Sequence, residues 1–449
     1  MHRVNDATTE LRSKVFEYAN ERMNYSPPPL DNTETPENLL QAAGQTITKD
    51  GLGAKALDLF ANVLAPATIS TDHPGYLSFI PCAPTEASKL FDLVVSASGI
   101  YGGSWMEGAG AVFAENQVLS WLAAEAGLPE TAGGIFVQGG TLGNLSALVA
   151  ARDHAKRNLN GQPTPTRWKV ACSAEAHSSL KTAAAVMDID LIKVPVDEFG
   201  KLGESALRAA LANNLDGLFA IVATAGTTNF GIVDHLDEAG RVARELGVWF
   251  HVDGAYGLAG ILSHHTRDLF RGLELADSFI VDPHKWLFAP FDACALVYRE
   301  PEIARVAHTQ HGEYLDTLTN SGEFNPSDYA INLTRRPRGL PLWFSLATHG
   351  TDAYREAVTT NIELAHFAAR EVRKRDYLQL VREPELSVVV FERKGWNLEQ
   401  YEAWSKTLLE QNIAFVVPSS HQGRPNARFA IVNPLTSEEL INEILDTME

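Results

Sequence analysis

The chain has 449 residues, of which 45% are hydrophobic and 21% charged, and it carries a net charge of −19. That length can bury a large core in more than one structural unit, and the composition is ordinary for a soluble globular enzyme. The acidic balance argues against nucleic-acid binding, the three scattered cysteines (Cys82, Cys172, Cys294) give neither a disulfide framework nor zinc spacing, and no apolar run approaches a membrane span. The first twenty residues lack the apolar core of a signal peptide, so a reducing cytoplasm is the expected compartment.

Residues 1–85 read as an N-terminal arm: a helix near 8–22, a break at Pro27-Pro28-Pro29, a helix near 50–64, then HPGYLSFIPCAPT at 73–85. The arm is rich in aromatics and proline but has no core of its own, and the expected surface for it is a second subunit. Residues 86–345 alternate strand and helix, which predicts an α/β domain with a mainly parallel sheet. Helices fall near 86–98 and 111–126. Short apolar strands fall at 135–137, 169–172, 191–194, 218–222, 248–252, 279–281 and 293–298, with helices between most of them. Residues 346–449 form a small α+β domain: a long helix at 351–374, strands near 378–382 and 386–392, a helix at 398–411, strands at 413–416 and 427–432, and a terminal helix at 436–447. The QGRPN segment, 422–426, reads as a mobile turn.

The chemistry concentrates at strand C-terminal ends, where open α/β sheets bind ligands. In DSFIVDPHKWLFAPFDACALVY, residues 277–298, Lys285 lies between two apolar strands. Lysine is seldom buried without cause, and burial lowers its pKa toward the neutral amine that attacks a carbonyl. Taken alone, the stretch fits equally a surface turn with an extended lysine. Gly139-Gly140-Thr141 joins a strand to a helix, where free backbone N–H groups and the dipole favour a phosphate. A plain glycine turn capped by Thr141 is the alternative. HVDGAYG, 251–257, puts Asp253 at the end of a buried strand, where a carboxylate needs a partner: a protonated ring nitrogen, or an arginine. SAEAHSSL, 173–180, places His177 at a helix start, and ATAGTTNFG, 223–231, offers a further hydroxyl-rich turn containing Thr224.

The ordered motifs QGGT, AHSS, TAGTT, HVDGAYG and DPHKWL resemble the group II pyridoxal-phosphate-dependent decarboxylases, the family of aromatic-L-amino-acid, histidine and glutamate decarboxylases. The resemblance spans residues 73 to about 434. It implies a fold-type-I transferase-like α/β architecture and a homodimer with active sites at the interface. It further implies pyridoxal 5'-phosphate on Lys285, Asp253 against the pyridinium nitrogen and His177 on the ring face. Gly140, Thr141 and His284 would hold the phosphate, with Thr224 near the ring substituents. The family often has asparagine where Asp282 stands, and a carboxylate beside a phosphate must turn away or meet a backbone N–H. GGSWMEGAGA, 102–111, also departs from the aromatic-substrate members.

The expected activity is decarboxylation of an L-amino acid, aromatic first, with Tyr76, Phe79, Ile80, Pro81 and Trp105 as pocket wall, core or dimer contacts. Alternatives are a decarboxylating aldehyde synthase, or an acidic substrate anchored by Arg335, Arg336 or Arg338. In the polar stretch 311–336 the resemblance makes Tyr329, in an Asp-Tyr context before paired arginines, the proton donor of a closing loop.

Overall fold

A computed structural model describes residues 2–310 and 323–449. The chain divides into two compact units. One comprises Cys82–His366 with Glu383–Val389, and the other Met1–Pro81, Phe367–Arg382 and Val390–Glu449.

The first unit is built on a seven-stranded sheet of β1 (Gly133–Val137), β2 (Lys169–Ser173), β3 (Asp190–Val194), β4 (Leu218–Thr224), β5 (Trp249–Asp253), β6 (Ser278–Val281) and β7 (Cys294–Tyr298), in the order β1-β7-β6-β5-β4-β2-β3. The β2–β3, β2–β4, β4–β5 and β5–β6 pairs are parallel, and β7 runs antiparallel to both its neighbours. Every residue of β4, β5 and β7 is buried, as expected where helices cover both faces of a sheet. The core on one face joins Val137, Leu148, Val222, Ile280 and Leu296. Crossover helices follow the sequence pattern at Gly140–Arg157, Ser178–Met187, Glu204–Leu211 and Leu236–Leu246. The last ends at Gly247, whose φ of 64° suits the left-handed cap that glycine supplies.

Two elements of this unit differ from the sequence reading. DPHKWL is not a plain turn: Pro283–Trp286 forms one helical turn, because proline at the first helical position lacks only a hydrogen bond that would be unmade anyway. The helix expected from 111 begins at Trp105, capped by Ser104, whose side chain accepts from the Glu107 N–H. It passes through a kink at Gly108, which broke the pattern.

In the second unit a four-stranded sheet has the order β10-β11-β9-β8, with β8 at Leu378–Leu380, β9 at Val388–Arg393, β10 at Ser419–His421 and β11 at Arg424–Ala430. The expected strand at 413–416 is only a bridge between Phe415 and Tyr76. The QGRPN segment is a hairpin rather than a loose turn: His421 pairs with Arg424, and Gln422 and Gly423 take φ of 50° and 78°, as two-residue hairpin loops require. Residues 73–81 find a partner within their own chain. The Leu77 N–H donates to Phe415 and its carbonyl accepts from Ala430. Ahead of them, the Asp6–Met23 and Pro36–Ala43 helices bury none of their residues, and the helix expected near 50–64 is five α-helical residues, Lys55–Leu59, continued by a wider turn to Leu64.

Candidate active site

At the C-terminal ends of the parallel strands lies a cavity of about 490 Å³. Its walls bring together Gly140, Thr141, His177, Thr224, Asp253, His284 and Lys285, which the motifs had singled out from separate stretches of chain. The sheet register explains the meeting. Thr224 stands opposite Asp253 across β4 and β5, and Asp253 opposite Ile280 across β5 and β6, so three strand ends finish at one level.

Asp253 is 5% exposed and held on both oxygens: Oδ2 accepts from Asn144 Nδ2 at 2.8 Å and Oδ1 from the Ala255 N–H at 3.2 Å. The other Asn144 amide hydrogen goes to Ser179 Oγ at 2.9 Å. Its carbonyl oxygen therefore accepts from His251 Nε2, 2.9 Å away. His251 is fully buried, and burial, working against the nearby Asp253 charge, pulls its pKa down to about 4. As a neutral ring with its hydrogen on Nε2, it accepts at Nδ1 from Ser278 Oγ at 2.8 Å, and that hydroxyl oxygen accepts from Trp249 Nε1 at 2.8 Å. A satisfied chain of buried polar groups thus runs from Trp249 to Asp253. None of Asn144, Ser179, His251 or Ser278 was picked out from the sequence. The signal was there for His251, which shares a strand face with Asp253 two residues on and aligns with Ser278 in the next strand.

Lys285 Nζ lies 2.9 Å from Asp282 Oδ2. Burial does pull the Lys285 pKa down, as the sequence suggested, but Asp282 at contact and Asp253 behind it outweigh burial. The amine sits above its ordinary value and stays charged. The carboxylate of Asp282 does not turn away: Oδ2 also accepts the Gly140 N–H at 3.3 Å and lies 3.8 Å from His284 Nε2. His177 caps the Ser178–Met187 helix, its Nδ1 accepting the Ser179 N–H at 3.1 Å, which leaves Nε2 to carry the proton of the neutral ring.

Other expected contacts lie elsewhere. Tyr76 packs edge-on to Phe415 with ring centroids 4.9 Å apart, Phe79 is 60% exposed, and Trp105 does not line the cavity. Arg335 pairs with Glu115, Arg336 with Asp92 and Arg338 with Asp292, so each arginine proposed as an acid anchor already meets a carboxylate. Residues 311–322, most of the expected closing loop, lie outside the described residues. Tyr329 itself is not brought to Lys285. It is buried, stacked on Phe324 at 4.4 Å, its carbonyl accepts from Tyr298 Oη, and it lines a separate cavity with Glu300 and Glu302. An aromatic ring in a polar stretch was drawn into the core, where its burial pushes the phenol pKa up to about 12.

The residues present fit pyridoxal phosphate. Thr224 Oγ1 is buried without a hydrogen-bond partner among the described residues and faces the cavity. The helix beginning at Gly140 opens on the same space, and a Cβ there would stand 3.1 Å from Ala255 Cβ and 3.3 Å from Asp282 Oδ2. A lysine amine, a buried carboxylate held by two donors and a glycine-opened helix N-terminus suit an aldehyde, a pyridinium nitrogen and a phosphate in turn.

Fold and site together define an α/β enzyme of the lysine-bound-cofactor class. Residues 36–394 match the family model of the pyridoxal-dependent decarboxylase conserved domain. The chain belongs to that family and is a pyridoxal-phosphate-dependent amino-acid decarboxylase, a carboxy-lyase. It is 30% identical over 437 residues to an aromatic-L-amino-acid decarboxylase of Bacillus atrophaeus, covering 93% of this chain and 89% of that one. It is 28% identical over 397 residues to an L-2,4-diaminobutyrate decarboxylase of Acinetobacter baumannii, covering 82% and 76%. Among solved structures, TDC of Oryza sativa with PLP and tryptamine superposes with a TM-score of 0.90 at 23% identity, covering 100% and 99% of the two chains, a likeness of fold.

Proposed function

We propose that the substrate is an aromatic L-amino acid, converted to its amine and carbon dioxide. The observation that carries this reading is the pairing of Arg335, Arg336 and Arg338 with carboxylates, while among the described residues no arginine lines the cavity, which leaves an acidic side chain without an anchor. Leu142, Leu145 and Tyr256 offer apolar wall, and the Bacillus relative acts on aromatic amino acids by its name. The Acinetobacter relative acts on L-2,4-diaminobutyrate by its name, but Asp292, the cavity-lining carboxylate that would meet a second amine, is already paired with Arg338 at 2.9 Å. A decarboxylating aldehyde synthase would share every residue placed here.

Each side chain then has a role. Gly140, Thr141 and His284 hold the phosphate, Thr224 offers its hydroxyl to a ring substituent, and His177 covers the ring face. Asp253, aimed by Asn144 at 2.8 Å, faces the ring nitrogen and holds its proton. Lys285 carries the cofactor and, on release, moves protons at the reacting carbon. The bound cofactor supplies an aldehyde for the lysine and a ring that accepts the electron pair left when carbon dioxide departs. The protein contributes orientation and fixed charge.

The assembly proposed is a homodimer. Leu11, Val15 and Phe16 are exposed on the Asp6–Met23 helix, which buries none of its residues, so this helix has an apolar face to offer a partner. All three cysteines are buried thiols, in keeping with a reducing cytoplasm, and no described helix is long and apolar enough to cross a membrane. Incubating purified protein with L-phenylalanine, L-tyrosine, L-tryptophan, L-histidine, L-glutamate and L-2,4-diaminobutyrate tests the substrate. The measurement is amine, aldehyde and carbon dioxide. Amine from the aromatic set supports the proposal. Exclusive turnover of L-glutamate or L-2,4-diaminobutyrate, or aldehyde as main product, overturns it.

A further inference from the structure

Asp282 lines the cavity beside Gly140, Thr141 and His284, the groups proposed above to hold the phosphate, and its carboxylate lies against two of them. Oδ2 takes the Gly140 N–H at 3.3 Å and the Lys285 ammonium at 2.9 Å, with His284 Nε2 at 3.8 Å. The side chain is 2% exposed, so water does little to screen it. Its charge also reaches the Cys294 thiol, pushed upward by burial and by Asp282, and Asp253 adds its own charge at Lys285. We propose that Asp282 is the proton acceptor and gate of cofactor loading: it locks Lys285 as an ammonium, occupies the Gly140 N–H, and gives up both when it takes the lysine proton.

The steps balance. One proton moves from Lys285 Nζ to Asp282 Oδ2, converting an ion pair into a neutral amine and a neutral acid. The amine lone pair then adds to the aldehyde carbon of pyridoxal phosphate. The two remaining amine hydrogens leave with the aldehyde oxygen as one water. The same transfer removes the negative charge that opposes a phosphate and frees the Gly140 N–H to donate to it. The neutral Asp282 gains an O–H of its own to offer. One proton movement therefore answers two obstacles, a charged nucleophile and an occupied anion site.

The test uses the full chain, stripped of cofactor with hydroxylamine and desalted. Loading of pyridoxal phosphate is followed by stopped-flow absorbance across pH, and inorganic phosphate binding by calorimetry, for the parent and Asp282→Asn. We expect the variant to load and to bind inorganic phosphate at least about tenfold better at neutral pH, having lost one opposing charge. Its loading profile should also move to lower pH, because Lys285 has lost the carboxylate that holds its proton. An unchanged rate, pH profile and phosphate affinity overturns the proposal. If Asp282→Asn does not fold by circular dichroism, Asp282→Ser replaces it. Failure of both means that Asp282 holds the fold instead, and the proposal falls. Absence of loading in parent and variant alike would instead count against the cofactor assignment.

Discussion

Asn144 donates to the Asp253 carboxylate at 2.8 Å while its own carbonyl is capped by His251, so that carboxylate is aimed by a residue from a different element, the helix that starts at Gly140. Replacing Asn144 by leucine leaves Asp253 Oδ2 and His251 Nε2 without partners. Unsatisfied buried groups cost about 1–3 kcal/mol each, so urea unfolding should show a loss of that order. Turnover should fall by roughly tenfold or more as Asp253 loses its orientation. Unchanged kcat with reduced stability would mean that Asn144 serves the fold only.

Asp253→Asn tests the carboxylate directly. The amide cannot hold a ring nitrogen protonated, and one lost charge-assisted contact in the transition state is worth roughly 3 kcal/mol, about a hundredfold in rate. Cofactor content, read from absorbance, should survive in part while kcat collapses. Near-parental turnover would reduce Asp253 to a structural residue.

Borohydride reduction of the yellow protein, followed by peptide mapping, should place the label on Lys285. It is the only lysine lining the cavity among the described residues. A label on another lysine removes the assignment.

Tyr329→Phe should keep amine formation within a few fold, since the ring stacks in the core beside Phe324 and away from Lys285. Measuring amine, aldehyde and oxygen uptake together decides the point. A sharp fall in amine with a rise in aldehyde would restore the phenol to the reaction through a partner subunit.

Asp234 ties the turn after β4 to distant backbone, accepting the Leu202 and Thr224 N–H groups at 2.7 Å each. Burial outweighs those donors and pushes its pKa from 3.8 up to about 7. A carboxyl raised on folding stabilises most when protonated, so its contribution is full below pH 3.8 and fades as pH rises through about 7. Asp234→Asn should abolish this dependence and also set an NH2 against one backbone N–H. The stability difference, parent minus variant, should therefore shrink between acid and neutral pH. A difference that grows over this range contradicts the raised pKa.

The sheet was legible because its strands are buried on both faces and read as apolar runs, as Leu218–Val222 and Phe279–Val281 do. Lys285, Asp253 and Gly140 were legible because each is an unusual residue at a strand end. What escaped was set by tertiary context. The kink at Gly108 hid the start of a helix, and Gln422-Gly423 looked loose because nothing local announces the pairing of His421 with Arg424. Asn144 looked like an ordinary polar helix residue, since its partners come from β5 and from the next helix. The stacking of Tyr329 on Phe324 was not legible, because its neighbours in sequence are polar and its apolar neighbour lies in space.

The reversed direction of β7 has one more effect. A crossover from β6 to a parallel neighbour would have carried the chain along the whole strand length to the opposite end of the sheet. Because β6 and β7 are antiparallel neighbours, residues 282–293 leave and re-enter the sheet at the same end. A segment anchored at both ends over so short a span has little freedom to drift, and any insertion within it would displace Lys285 sideways from the groups on β4 and β5. The enzyme's most sensitive position to a change of chain length is therefore expected in this link, while surface turns elsewhere absorb extra residues with little effect.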